Sequence, residues 1–352
     1  MAYTTIDDPS EYFHTRLYSG NNSGSGLAVT NDANSGNFQP DWVWIKRRDS
    51  SGSHGLHDSN RGSTKRLKSD SNEAEDTNSN ILASFDSNGF TIGDNSGNYN
   101  ASGTYVAWQW KANGGTTSSN SNGGITSTVQ ANTTAGFSVV TYTGTGSANT
   151  VGHGLGSTVA MVITKSRDSA SSWQIYHKDL GKDKTIQLEQ TASTSSITNY
   201  WGTSTPNSTV FGVIGGGYNN NLSGEATIAY CFAEIEGYSK FGSYTGNGSS
   251  DGTFVYTGFR PAWVIAKKTS AVGSWHMWDI KRDTTNANSE RLLADTSDAE
   301  ATLSGVNIDH LSNGFKLRNS DGALNGSGAT YIYLAFAEHP FVSSKGVPVT
   351  AR

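Results

Sequence analysis

Two acid–arginine pairs at equal spacing are the first residues that could do chemistry: Asp58 with Arg61, and Asp279 with Arg282. A carboxylate three residues before a guanidinium can act as a general acid or base, or clamp a ligand. It can equally pin a turn as a salt bridge. A third comparable position carries His177 and Leu180 instead. A catalytic pair common to equivalent units would not be lost from one of them. The turn reading is therefore preferred, and Asp58, Arg61, Asp279 and Arg282 remain candidates for ligand binding only.

Glu75 and Glu300 each follow a leucine (Leu67, Leu292) by eight residues, with Asp70 and Asp295 between. Paired carboxylates are what a glycosidase needs. Here they sit in polar loops, DSNEAED and DTSDAE, whose acids are expected to be solvated, and the corresponding loop EQTAST lacks the pair. No catalytic residue is assigned. Histidines are scattered: His54 and His57 lie in a Gly-rich loop, His153 in a turn, and no HExxH pattern occurs. Asp94, Asp251 and Asp321 stand in Asn/Ser/Gly turns without the spacing of a calcium loop. The single cysteine, Cys231, excludes an internal disulfide and a cysteine-based zinc site. No metal and no cofactor is expected.

Aromatic residues are the remaining chemical resource. Trp173 and Trp275 each stand eight residues past a lysine and read as one repeated core position. Trp201, in the loop NYWGTSTPNS, and Trp278 are the candidates for stacking on a sugar ring, which needs an exposed aromatic among polar groups.

The elements that must position these residues come in three copies. Trp42-Val43-Trp44-Ile45-Lys46, Met161-Val162-Ile163-Thr164-Lys165 and Trp263-Val264-Ile265-Ala266-Lys267 are apolar runs ending in lysine, as a strand entering solvent would read. Twelve residues past the lysine come Asp58, His177 and Asp279; further on come Phe90, Phe211 and Phe315, then closing strands ending at Trp110, Phe232 and Phe336. Val, Ile, Thr and aromatic runs between Gly/Asn/Ser turns predict strands throughout; the best helical window, 288–303, is short and interrupted. The fold expected is all-β, with three tandem antiparallel β-sandwich modules of jelly-roll or lectin-like kind. Their boundaries are 1–113 (with an N-terminal arm), 127–237 and 238–352. A Gly/Ser/Asn linker over 114–126 should leave the first module on a loose tether.

Composition narrows the partners. With 25 Lys+Arg against 30 Asp+Glu the chain lacks the basic stripe of a nucleic-acid binder or of a protein docked on an anionic membrane. No apolar run is long enough to span a bilayer, and the opening MAYTTIDDPSEYF does not read as a signal peptide. Charged residues are only 16%, so the surface must be built from Ser, Thr, Asn and Gly, as in many adhesins and virus surface proteins. Tyr3, Ile6, Tyr12 and Phe13 lie outside the first repeat and are expected to dock on a neighbouring subunit or on the module itself.

The YTGNG opening, the PDWVWIK and RPAWVIAKK strands, SNGF, the CFAE and AFAEHPF closures and the terminal VSSKGVPVTAR resemble modules of tailed-bacteriophage virion proteins of marine and cyanobacterial phages. These are often described as tail-fibre or concanavalin-like lectin/glucanase-type domains. The resemblance implies a virion surface protein, made in the host cytoplasm, partnered by other virion proteins and forming a homo-oligomer. Host attachment through a surface glycan is the role expected first. A capsid decoration or tail assembly role without receptor binding is the alternative, and a polysaccharide depolymerase stands third.

Overall fold

The three lysine-ended runs are strands: Trp42–Arg47, Val159–Ser166 and Phe259–Lys268. In this computed structural model, which describes residues 3–32, 37–93 and 99–349, each occupies the same place in an antiparallel sheet. The closing strand pairs on one side of it: Gly103–Trp110, Ala226–Ala233 and Thr330–Pro340 in turn. The strand after the lysine pairs on the other: Gly55–Asp58, Gln174–His177 and Trp275–Asp279. An opening strand, Phe13–Gly20, Phe137–Thr143 or Ser239–Thr245, flanks the closing strand. The chain is all-β and antiparallel, and among the described residues the sole helical element is a 3-10 turn, Pro9–Glu11. The window 288–303 is extended, with strands Glu290–Leu293 and Ala301–Thr302.

Side chains alternate across each large sheet, and both faces are covered. On one face Val43, Ile45, Tyr105 and Ala107 pack under the small sheet containing Phe90. Phe211 and Phe315 occupy the corresponding small sheets of the second and third repeats, and all three phenylalanines are fully buried. The opposite faces of all three large sheets meet in one core. Trp42, Trp44, Trp108 and Trp110 from the first repeat pack with Phe137, Met161, Tyr230 and Phe232 from the second. Trp263, Trp275, Leu334 and Phe336 from the third join them. Seven of the nine tryptophans lie in this shared core. Each large side chain buried there contributes roughly 1.5–3 kcal/mol, so no repeat could lose its neighbours cheaply.

This corrects the picture of modules on a string. The segment 114–126 is no loose tether. Asp41, fully buried, accepts hydrogen bonds from the backbone N–H of Ala112, Gly114 and Gly115 and from the Ser59 hydroxyl. Gly114 and Gly115 take positive φ to present those N–H groups. Ser118–Asn120 then adds a strand to Ser127–Asn132, which itself pairs with Phe137–Thr143.

The N-terminal residues also stay within the chain. Phe13 stacks on Phe336 and Ile6 is buried in the shared core. Tyr12 packs edge-on against Tyr238, and the Tyr3 hydroxyl donates to the Gly258 carbonyl at 2.6 Å. Of the two docking places expected for Tyr3, Ile6, Tyr12 and Phe13, a neighbouring subunit or the chain itself, these contacts are with the chain itself. The third repeat offers the apolar surface these side chains need.

Candidate functional site: the three inter-repeat junctions

The residues singled out by their chemistry converge on the seams between repeats. The loop after the Asp/Arg turn, or after its His177/Leu180 counterpart in the second repeat, lies on the lysine-strand end of the next repeat. Glu75 N–H donates to Arg167 O, Thr194 N–H to Thr269 O and Glu300 N–H to Arg48 O. Six residues past each lysine, the backbone N–H groups of Gly52, Ser171 and Gly273 donate to Ser297, Asn72 and Thr191 of the preceding repeat, at 2.8–2.9 Å. Eight past the lysine, Trp173 Nε1 donates to Lys68 O and Trp275 Nε1 to Gln187 O, both at 2.8 Å. His54 holds that place in the first repeat. Its Nδ1 accepts from Trp44 Nε1, so Nε2 carries the proton and meets Leu293 O at 2.9 Å. First binds second, second binds third, third binds first: three head-to-tail contacts close a ring.

The lysines end in this seam and not in water. Lys46, Lys165 and Lys267 are fully buried. Lys46 Nζ donates to Arg47 O and Ser297 O, Lys165 Nζ to Ser166 O and Ser171 Oγ, and Lys267 Nζ to Gln190 O and Gly273 O. Burial pushes each ammonium down to about 8. The lysine stands on the core-facing side of its strand, so its stem continues the apolar stripe and its head satisfies loop carbonyls.

At the first-to-second junction Asp58 and Arg61 form a buried latch. The Arg61 backbone N–H and Nε both donate to the Asp58 carboxylate. Arg61 Nη1 donates to Glu75 at 2.9 Å, and Nη2 donates to Leu56 O and to the Tyr230 hydroxyl across the seam. Tyr230 in turn donates to Asp58 at 2.8 Å. Arg167 of the second repeat grips both oxygens of Glu75, at 2.8 and 2.9 Å. Burial pushes the Glu75 carboxyl up, but Arg167 and Arg61 outweigh it and hold it below its usual value. Asn60 completes the seal, donating to Thr128 O and Val139 O and accepting from Thr141 Oγ1.

The third-to-first junction repeats the arrangement. Arg282 is held by Asp279, Glu300 and Met277 O, Trp108 Nε1 donates to Asp279 at 3.1 Å, and Arg48 donates twice to Glu300. A cleft of about 440 Å³ beside it holds His14 against Asp32, with Lys281 in its wall.

The second-to-third junction has no such latch. His177 accepts from Asp179 N–H through Nδ1 and turns Nε2 to Tyr333 O, and burial pushes it down to about 4. Leu180, Thr194 and Thr269 stand where arginine, glutamate and arginine stand elsewhere. A cleft of about 540 Å³ opens beside these short side chains.

The expected ligand face is therefore corrected. Asp58, Arg61, Asp279 and Arg282 are buried and mutually satisfied, because removing either partner would strand a charge. Trp201 and Trp278 are fully buried. Trp201 donates its indole N–H to Lys184 O, and Trp278 stacks on His276. Neither ring face is open for a sugar. Glu75 and Glu300 are not solvated loop acids but members of the latches. Among the described residues no group of three or more His, Cys, Asp or Glu side chains could hold a metal ion. Asp94 lies outside the described residues, Asp251 pairs with Lys316, and Asp321 caps its own turn.

Sequence reasoning missed Arg48, Arg167, Trp108 and Tyr230. A signal for the first two exists. Two residues past each lysine stand Arg48, Arg167 and Thr269; in the acidic loops stand Glu75, Thr194 and Glu300. Within a repeat these do not match, since the second has arginine with threonine and the third threonine with glutamate. Read around a ring they match at every seam.

Among curated proteins and among solved structures nothing matches the chain. A family model described as a domain of unknown function, DUF7483, matches residues 8–340. The match spans all three repeats and their closing seam, and the protein belongs to the DUF7483 family.

Proposed function

We propose that this chain is a non-catalytic component of a bacteriophage particle surface, tail-fibre-like, built of three lectin-like β-sandwich repeats and serving host attachment. The observation that carries the reading is the use made of the charged residues. Asp58, Glu75, Asp279 and Glu300 are the acids best suited to catalysis, and each is committed to a buried arginine. Glycoside hydrolysis needs two carboxyl groups free to trade protons across a bond. An acid whose oxygens are bonded to a guanidinium inside a buried seam has no open face to offer a substrate. A framework of this kind suits rigid display of surfaces. The sequence resemblance supplies the particle.

The test has two arms. Cryo-EM of virions with antibody labelling locates the chain, and absence from the particle overturns the reading. Incubation with host surface glycans should yield no new reducing ends. Turnover abolished by Glu75→Gln or Glu300→Gln would establish a depolymerase. The decoration reading is favoured by one surface. Phe254 and Tyr256 point outward from the strand Phe254–Tyr256, 44% and 53% exposed, on the edge of the third repeat's small sheet. Their substitution by serine should weaken particle incorporation if that reading holds.

A further inference from the structure

We propose that the cleft between the second and third repeats is a binding site for a neutral saccharide. The argument begins with why the cleft exists. At the other two seams a pair of arginines and a glutamate fill the corresponding space. Here Leu180, Thr194 and Thr269 replace them, and at this point of the seam the backbone bond from Thr194 to Thr269 remains without the ionic latch. The resulting volume, about 540 Å³, falls within the range of roughly 300–1,000 Å³ typical of small-molecule sites.

The walls select the ligand class. Hydroxyl side chains dominate them, with Ser243, Thr245, Ser270 and Thr330 joining the two threonines of the seam. A hydroxyl donates and accepts at once, as does each hydroxyl of a sugar. Leu180 and Ile332 supply an apolar patch for the C–H face of a pyranose. The lining carries one carboxylate, Asp179, which Lys178 pairs at 3.0 Å, and one ammonium, Lys184. No cationic cluster is present to hold a phosphate or a sialic acid, and no acidic cluster to hold a polyamine or cation.

An extended peptide is the competing occupant, because among the described residues no strand pairs with the outer edge of Ser239–Thr245. In the second repeat that edge is taken by Ser127–Asn132. In the third repeat the Glu234 carboxylate accepts the edge N–H of Phe241 at 3.1 Å, and Lys240 and Lys178 lie beside Glu234. Charged groups on an edge oppose strand addition, which leaves the saccharide.

This inference deepens the attachment reading above by naming the surface that would contact the host. Saturation-transfer NMR of the full chain with maltose, lactose, cellobiose and mannobiose tests it. At least one disaccharide should receive magnetisation, unaffected by added phosphate or sialyllactose. Rebuilding the latch with Leu180→Arg, Thr194→Glu and Thr269→Arg should weaken binding by at least about tenfold. Should that triple variant fail to fold, Ser243→Trp plugs the cleft from an exposed position and must have the same effect. Absence of transfer to all four sugars, binding unmoved by the cleft variants, or binding of a Ser/Thr-rich peptide in place of any sugar overturns the proposal. Virions carrying Ser243→Trp that adsorb normally would sink the attachment reading while leaving sugar binding by the cleft in solution intact.

Discussion

The first-to-second and second-to-third junctions share one backbone geometry and differ in what fills it. Both are held by the same N–H to carbonyl bonds and by a tryptophan indole reaching the preceding repeat. One adds Arg61, Glu75 and Arg167; the other has leucine and two threonines. Ring closure therefore belongs to the backbone bonds and the shared core, and the ionic latch is an addition. A buried ion pair often gives little net stability over an apolar replacement, whereas breaking one is expensive. The latched seams are thus expected to be brittle and the unlatched seam tolerant.

Acid should produce the largest effect. His54, His57 and His276 are pushed down to about 3 by burial, and His153, His177 and His310 to about 4. Their folded values lie below the unfolded value near 6.5, so the unfolded chain binds more protons between the two. The histidine contribution to stability is fully present above about pH 6.5 and is lost as pH drops toward 4. Urea titrations across that window should show it, with net uptake on unfolding approaching six protons. A pH-independent midpoint would mean these rings are not buried.

Next come the latches. Arg61→Ala and Arg282→Ala leave buried Asp58 and Asp279, respectively, without their arginine and should each cost about 3–5 kcal/mol in chemical denaturation. Leu180→Ala, at the matching position of the tolerant seam, should cost less than about 2 kcal/mol because Leu180 is only half-buried. Equal losses at all three positions would erase the distinction between the seams. Phe90→Ala, Phe211→Ala and Phe315→Ala serve as the reference, since all three side chains occupy one repeated place. Each should cost about 3–5 kcal/mol. The smallest expected quantity is the coupling between Arg167 and Glu75. A double-mutant cycle should return roughly 0.5–3 kcal/mol, and the cycle at Thr269 and Thr194 should return near zero.

Much of the fold was legible because it is local. The lysine-ended runs and the buried Phe90, Phe211 and Phe315 were marked by residue type and spacing, and each is a strand or a core position. The turn role of Asp58/Arg61 was legible from its loss in the second repeat. The ring was not, because its closure is written in pairs such as Arg48 with Glu300, far apart in the chain and mismatched within each repeat. Lys46 was misread for a related reason. Its partner, the Ser297 carbonyl, comes from the opposite end of the sequence, and nothing near Lys46 predicts it. Trp201 sits in a polar loop by sequence, yet Tyr176 and Tyr200 enclose its ring.

The closing of the ring within one polypeptide has a consequence for how its seams can change. In a trimer of identical chains every interface substitution is made three times, and its cost is tripled. Here each seam is encoded separately, so a substitution acts once while two unaltered seams and the common core hold the assembly shut. One junction can give up its ion pairs and become a cavity without a threefold penalty. The molecule that results presents that cavity once, and several copies side by side would be needed for avidity.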